Sequence, residues 1–289
     1  MKKAFTLIFV VLFLSACSSK NMYSYLSNGD DVIFTGPGNV SYTYNDLYKS
    51  LKVSSADTIE NEILLTIANG YEIDREDLER QAQEAIDLYV QLGYEDYLIS
   101  YYGSLDAYKE IYVSNLILNE LAKVYVNENY DTLKENDLPV KMQLASFDSV
   151  EEAQKCIDDF NNGSTFDMAA INNNSLNTPQ SSVYTDSDSS LVYEVKDYLN
   201  STDTTGVSSI IKATSMSKDD DGNNVETYTY YVLNIESRDP DEFKEDYINL
   251  AATNASMDTV NEYFFSSHEL KFFDQDIYEI MSEKFEELK

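Results

Sequence analysis

The spacing of apolar residues changes twice along the chain, and each change coincides with a proline. Ahead of Pro139, apolar residues recur every three or four positions, which is typical of amphipathic helices. Just after it, Val140, Met142 and Leu144 alternate with polar residues, which is typical of a half-buried strand. Helical spacing returns after Pro240. This order predicts an α+β protein in which two helical segments flank a small mixed region.

Five helices are predicted in the first helical segment. Thr43 and Asp46 form the Thr-x-x-Asp cap of the first helix, and Gly70 and Gly93 end the second and third. The predicted ranges, in chain order, are 43–51, 57–69, 75–92, 94–102 and 104–126.

The mixed region is predicted to contain three strands and two helices. The strands are placed at 140–144, 207–212 and 227–235. One helix follows a capping box at Ser149, and the other covers 191–199. The polar stretch 172–190, rich in Asn and Ser, is predicted to be a loop.

The second helical segment follows Pro240. Its apolar residues from Phe243 to Val260 form one amphipathic run, which predicts a single long helix. A short extended piece is predicted at 270–273, and one or two last helical turns at 277–288.

The first residues have the pattern of a cleaved export signal. Two lysines precede an apolar run, 5–14, that is shorter than the ~20 residues of a membrane-spanning helix. The Leu-Ser-Ala-Cys sequence that ends at Cys17 resembles the lipobox of bacterial lipoproteins. The resemblance implies that residues 1–16 are a signal peptide, that Cys17 carries lipid, and that 17–31 is a tether. The chain is therefore expected on the extracellular face of a Gram-positive-type cell membrane.

Net charge restricts the partners of the chain. It has 52 acidic and 20 basic residues, with a formal net charge of -32. This charge repels phosphate backbones, which excludes nucleic acid, and it also repels an anionic membrane surface. Basic client proteins or divalent cations fit it as partners, while an equally good interpretation is that the charge only maintains solubility.

Cysteine and histidine are too scarce for most metal or redox chemistry. With Cys17 lipidated, Cys156 is alone, so no intramolecular disulfide is possible; its place on an apolar helix stripe predicts a small core residue. The single histidine, His268, is predicted at the surface or at a helix end. No metal site and no cofactor is expected.

Five short segments, taken in order, carry a family resemblance. They are 40–48, 72–78 and 270–277 in the helical parts, and 163–169 and 206–209 in the mixed region. The segment 163–169 has the Gly-x-x-Phe-x-x-Ala spacing of parvulins, and 206–209 resembles their Gly-x-(Ile/Val)-Ser turn. Together with the lipobox, the segments resemble the PrsA-type foldase lipoproteins of Gram-positive bacteria, relatives of the SurA chaperone.

The resemblance implies a discontinuous architecture and a foldase function. Residues 32–137 and 239–289 would form one SurA-like helical chaperone domain, with a parvulin-like α+β domain inserted at 138–238. The family's parvulin domains are peptidyl-prolyl cis-trans isomerases, and the whole proteins assist the folding of exported chains. Expected partners are unfolded or partly folded exported proteins and the membrane, with a homodimer as an open alternative.

The catalytic residues of parvulins are missing from the corresponding positions. Parvulins use two facing histidines, and Leu144 and Tyr231 stand in those places, while His268 lies outside the insert. An isomerase must lower an amide rotation barrier of ~18–20 kcal/mol. Since the usual catalytic histidines are absent, whether this chain is an enzyme stays open. No catalytic residue is predicted, and Leu144 and Tyr231 are predicted to line a peptide groove.

Tyrosines supply a further candidate for client binding. A tyrosine offers apolar area with a polar tip, so a cluster can form an amphipathic surface for unfolded chains. The predicted members are Tyr101, Tyr102, Tyr108, Tyr112 and Tyr125.

Three other functions remain open. An active isomerase would need a non-standard pocket. A solute-binding lipoprotein would have two α/β lobes, which the helical first third of the chain contradicts. A surface adhesion protein would be expected to show repeats, and the sequence has none.

Overall fold

The structure is a computed structural model that describes residues 28–35, 40–218, 224–285 and 288. The predicted signal peptide, Cys17 and most of the predicted tether lie outside these residues. No helix within the described ranges is long and apolar enough to cross a membrane.

Seven strands and twelve α-helices occur within the described residues, in an order that confirms the α+β class. In chain order they are β1 (Val32–Thr35), β2 (Ser41–Thr43), α1 (Tyr44–Ser54), α2 (Ala56–Ile67), α3 (Arg75–Gln91), α4 (Glu95–Tyr102), α5 (Leu105–Glu128), α6 (Tyr130–Asp137), β3 (Val140–Phe147), α7 (Val150–Asn161), α8 (Phe166–Asn172), β4 (Ser182–Tyr184), α9 (Tyr193–Ser201), β5 (Gly206–Val207), β6 (Ile211–Lys218), β7 (Asn224–Ser237), α10 (Lys244–Asn254), α11 (Met257–Ser267) and α12 (Gln275–Lys284).

The chain divides into two compact units. The first combines the residues up to Leu121 with those from Ser256 onward, and the second runs from Ala122 to Ala255. The second unit therefore extends beyond the predicted insert, 138–238, at both ends.

Local capping explains where the helices of the first unit begin. The Thr43 hydroxyl accepts a hydrogen bond from the Asp46 amide, and the Asp46 carboxylate accepts one from the Thr43 amide, which is the predicted capping box. Asp74 accepts a hydrogen bond from the Asp77 amide at the start of α3. Gly103 ends α4 with a φ of 87°, a conformation that favours glycine. The five helices predicted for this segment are confirmed, with small shifts at their ends.

Ion pairs join the two ends of the chain inside the first unit. Lys52 on α1 lies 2.7 Å from Asp274 and 2.8 Å from Asp276, and Lys52 is 6% exposed. Lys284 on α12 pairs with the buried Glu60 of α2, which also accepts a hydrogen bond from Asn261 of α11. Segments more than 200 residues apart in sequence thus meet in one folded body.

The second unit is built on a five-stranded antiparallel sheet. Strands β3 and β7 pair at its centre; β4 lies on the free edge of β3, and β5 and β6 pair along the other edge of β7. Helices α7 and α8 pack on one face through a buried cluster that contains Cys156, Phe166 and Val232. On the opposite face, Leu233 of the sheet clusters with Val195 of α9. The sheet is therefore covered by apolar packing on both faces.

Cys156 is a core residue, as predicted. It is fully buried between α7 and the sheet. Burial, with the nearby carboxylate of Asp159 as a smaller cause, raises the pKa of its thiol to about 11. The thiol is therefore protonated and unreactive near neutral pH.

A third cluster explains why residues 239–255 group with the second unit. Phe243 and Tyr247 are buried against Tyr130, which begins α6. The Tyr247 hydroxyl donates a 2.7 Å hydrogen bond to Asp137, and the Tyr130 hydroxyl donates one of 2.8 Å to Asp241.

The predicted long helix after Pro240 is wrong, because the chain bends at Ala255. Ala255 has extended backbone angles, and Ser256 then caps a new helix by accepting a hydrogen bond from the Thr259 amide. Helices α10 and α11 belong to different units.

Other corrections lie in the mixed region. The predicted loop 172–190 contains strand β4, where Tyr184 pairs with Val140 and Ser182 with Met142. The strand predicted at 207–212 is two strands, β5 and β6, which pair with successive parts of β7. Helix α8, which the sequence patterns did not predict, buries Phe166, Ala169 and Ala170. Its short amphipathic repeat is too brief for a clear helical period.

Candidate functional site

Leu144 and Tyr231 lie on one face of the sheet in the second unit. Leu144 pairs with Leu233, and Tyr231 pairs with Ser146, so all four side chains point to the same side. Both predicted groove residues are half-buried and pack against the apolar cluster that includes Val195. The structure thus brings the two residues together as diagonal neighbours.

The chemistry available on this face is limited. Burial and then the nearby Glu194 carboxylate raise the pKa of Tyr231 above its ordinary value of 10.0. A neutral phenol and aliphatic side chains provide apolar contact and one weak hydrogen-bond donor, but no general acid or base near neutral pH. These two side chains therefore contribute apolar packing to this face of the sheet.

The Gly-Val-Ser turn at 206–209 supports this sheet from its edge. Gly206 has a φ of 93°, which favours glycine. Ser208 is buried, and its hydroxyl accepts a 2.9 Å hydrogen bond from the Leu233 amide and donates one of 2.7 Å to the Ser209 carbonyl. Ser208 therefore fixes the position of β7 rather than facing a ligand.

The single histidine belongs to the first unit and ends a helix, as predicted. The Nδ1 atom of His268 lies 2.9 Å from the Phe264 carbonyl, and its ring centroid lies 6.1 Å from that of Tyr71. Helix α11 stops at Ser267. His268 is thus a helix-end residue, in a different unit from Leu144 and Tyr231.

An apolar cleft opens in the first unit, between α2 and the segment that leads into α12. Its volume is about 370 Å³. Its walls are mostly aliphatic and aromatic: Ile59, Ile63, Ile67, Leu270, Phe272 and Ile277. Thr58, Glu62, Thr66 and Lys271 supply its polar lining. A volume of this size accommodates a few large apolar side chains.

The cleft exists only because distant segments meet. The four-residue spacing of Ile59, Ile63 and Ile67 predicts an apolar helix stripe, which the structure confirms. Nothing in that spacing shows that Leu270 and Phe272 form the opposite wall. These two residues are the part of the site that sequence patterns missed.

Seven tyrosines form a connected surface on α3, α4, α5 and the connection between α3 and α4, called here the tyrosine surface. Ring centroids of successive neighbours are 4.7–6.3 Å apart. The members are Tyr89, Tyr94, Tyr97, Tyr101, Tyr102, Tyr108 and Tyr112. Four of the five predicted members are included. The fifth, Tyr125, lies in the second unit, where burial and then Asp137 raise its pKa.

The chain is similar in structure to proteins of one class, which are described as foldase protein or peptidylprolyl isomerase. Three are crystal structures of PrsA. The protein from Streptococcus pneumoniae is 17% identical, with a TM-score of 0.44, and the match covers 88% of this chain and 99% of that one. The protein from Bacillus cereus is 17% identical, with a TM-score of 0.41 and coverage of 89% and 99%. The protein from Lactococcus lactis is 14% identical, with a TM-score of 0.42 and coverage of 88% and 99%.

The similarity to PrsA structures that the sequence motifs predict is thus confirmed. No family model and no curated protein matches the chain.

Proposed function

We propose that this chain is a membrane-anchored extracytoplasmic foldase that holds apolar segments of exported proteins while they fold, and that it does so without isomerase catalysis. The observation that carries the proposal is the apolar cleft of the first unit. It is open to solvent, it is lined by large apolar side chains, and its walls come from both ends of the chain. An exposed apolar cleft of this kind is a binding site for apolar groups of a partner.

The holding function is tested by aggregation of a denatured test protein diluted into buffer. The mature chain, residues 17–289, is expected to suppress light scattering near equimolar ratio. Ile63→Gln removes apolar area from the cleft wall and keeps a good helix former. Losing the burial of one side chain, about 1.5 kcal/mol, should raise the concentration needed for half suppression about tenfold.

The matched control for this assay is Leu51→Gln. Leu51 is a half-exposed residue of α1 in the same unit and does not line the cleft. The Leu51→Gln variant should suppress aggregation as well as the parent chain does. Equal loss in both variants, or no suppression by the parent chain, would contradict a holding role for the cleft.

Absence of catalysis is tested with a proline-containing peptide. By the family resemblance, Leu144 and Tyr231 take the places of the two parvulin histidines, and neither side chain is an acid or base near neutral pH. We expect the mature chain to leave the cis–trans rate at its uncatalysed value over a wide range of protein concentration. A rate that rises in proportion to protein concentration would instead support the active isomerase.

Anchoring rests on the lipobox that ends at Cys17. Two acyl chains on Cys17 would give stable membrane attachment, where one chain gives only reversible binding. In cells, Cys17→Ser should move the protein from the membrane fraction to the medium. Membrane retention of that variant would rule out this anchor.

A further inference from the structure

The tyrosine surface leaves aromatic faces open to solvent. Tyr97 and Tyr101 on α4 stack with ring centroids 6.2 Å apart and are 60% and 71% exposed. Leu92 and Ile99 in the same segment of the chain are also exposed. Exposed apolar patches on soluble proteins often mark sites of interaction with a partner.

The segment that carries these rings is acidic. Residues 84–110 contain six acidic residues and a single basic one, Lys109, which donates a hydrogen bond to Gln83. Glu95, Asp96 and Asp106 are exposed and form no ion pair within the described part of the chain. The surface therefore combines open aromatic faces with unpaired negative charge.

Elsewhere in the chain, tyrosine rings are covered by lysine. Lys52 lies 3.9 Å from the centroid of Tyr48, and Lys212 lies 3.6 Å from that of Tyr228. Tyr130 has a lysine ammonium at 4.4 Å and another at 4.6 Å. On the tyrosine surface, no described lysine or arginine occupies such a position. Cations attract ring faces by about 0.5–1 kcal/mol at exposed sites, so these faces are available to a cation from outside.

We infer that the tyrosine surface binds segments of unfolded client chains in which arginine or lysine alternates with apolar residues. The inference rests on the proposed holding function and names the client class for a second site in the same unit. Guanidinium groups would stack on Tyr97 and Tyr101 and pair with Glu95 and Asp96, while apolar neighbours contact Leu92.

The charge of the chain disfavours the other occupants. A second copy carries the same net charge of -32, so two such faces would repel each other. An anionic membrane is repelled for the same reason. Positively charged polypeptide is the occupant that the local charge attracts.

The experiment measures fluorescence anisotropy of two short labelled peptides with the mature chain. One alternates arginine with leucine, and the other has glutamate in place of arginine. We expect the arginine peptide to bind at least about tenfold more tightly. Tyr97→Ser with Tyr101→Ser should weaken it about tenfold, and Glu95→Gln with Asp96→Asn should weaken it by a similar factor and reduce its salt dependence.

The matched control is Tyr193→Ser, which removes a tyrosine that is 77% exposed in the second unit. It should leave arginine-peptide binding unchanged, and all variants should keep the parent melting temperature because the replaced side chains are exposed. Binding that is equally strong in the double tyrosine variant would overturn the inference and assign the attraction to overall charge. If the glutamate peptide binds as well while aggregation is still suppressed, the cationic preference is wrong and the proposed function stands.

Discussion

Replacing Lys52 with methionine should lower the free energy of unfolding of the first unit by about 3–5 kcal/mol. Methionine keeps the volume of the side chain but removes its charge. Asp274, whose side chain is 13% exposed, and Asp276 would then face each other without a cation. Removing one partner of a buried ion pair costs this much because it leaves an uncompensated buried charge.

Loss of the Lys52 ammonium would affect Asp274 most, because Asp274 makes several other contacts. It accepts a hydrogen bond from the Ile277 amide at the start of α12 and lies 3.5 Å from the Tyr48 hydroxyl. Burial alone would raise the pKa of Asp274, but the hydrogen bonds from Lys52 and Ile277 outweigh it and lower the pKa. The Lys52 contact therefore favours the ionised carboxylate.

The pH dependence follows from the sign of that shift. A carboxyl whose folded pKa is lowered contributes stability above its ordinary value of 3.8, and loses it as pH falls through the folded pKa. Burial would lower the pKa of Lys52, but the hydrogen bonds and charges of the two aspartates outweigh burial and raise this pKa. The contribution of Lys52 to stability therefore persists until strongly alkaline pH. The difference in unfolding free energy between the parent chain and Lys52→Met should thus be largest at neutral pH and shrink below about pH 4.

Urea unfolding followed by circular dichroism measures this effect. Lys49→Met is the matched control, because Lys49 is exposed on the same helix and forms no ion pair within the described residues. Its unfolding free energy should stay within about 0.5 kcal/mol of the parent value. In the double variant Lys52→Met with Asp274→Asn, the loss should be smaller than the sum of the single losses. A Lys52→Met chain as stable as the Lys49→Met chain would refute the structural role of this pair.

Lys52 also shows which parts of the fold a sequence can predict. The helix α1 that carries it is fixed by local signals, the capping box of Thr43 and Asp46. Nothing local distinguishes Lys52 from a solvated lysine, because its partners lie more than 220 residues later. Local patterns likewise do not show that Leu270 and Phe272 form a wall of the cleft, because the opposite wall lies about 200 residues earlier.

The mixed region shows a second limit. Strand β3 alternates over eight residues and is predicted from its pattern, whereas β4 has three residues and is defined by pairing with β3. Leu144 and Tyr231 lie on one face because β3 and β7 pair in a particular register, which a family resemblance indicated and periodicity alone does not. Tyr125 falls in the second unit because helix α5 continues from the first unit into the second.

Tyr247→Ala should destabilise the second unit by about 3–5 kcal/mol, the cost of removing a buried aromatic ring. Tyr247 is fully buried, and its ring packs edge-to-face with Tyr130 at 5.9 Å between centroids. Tyr247→Phe keeps the ring and loses only the hydrogen bond to Asp137, so it should cost about 1–3 kcal/mol. The exposed Tyr193 on α9 is the matched control, and Tyr193→Ala should change stability by less than about 0.5 kcal/mol.

Because the Tyr247 and Tyr130 hydroxyls are hydrogen-bonded to carboxylates, we expect the chain to lose stability at alkaline pH. Burial and then the Asp137 hydrogen bond raise the pKa of Tyr247 far above its ordinary value, and burial followed by Asp241 raises that of Tyr130 to about 12. A raised phenol pKa favours the neutral form in the folded state, so its contribution is full below pH 10 and is lost as pH rises further. The melting temperature of the parent chain should fall above pH 10, and it should fall less steeply in Tyr247→Phe, which cannot ionise there. Parallel pH profiles for parent and Tyr247→Phe would show that this hydroxyl is ionised as readily in the folded chain as in the unfolded one.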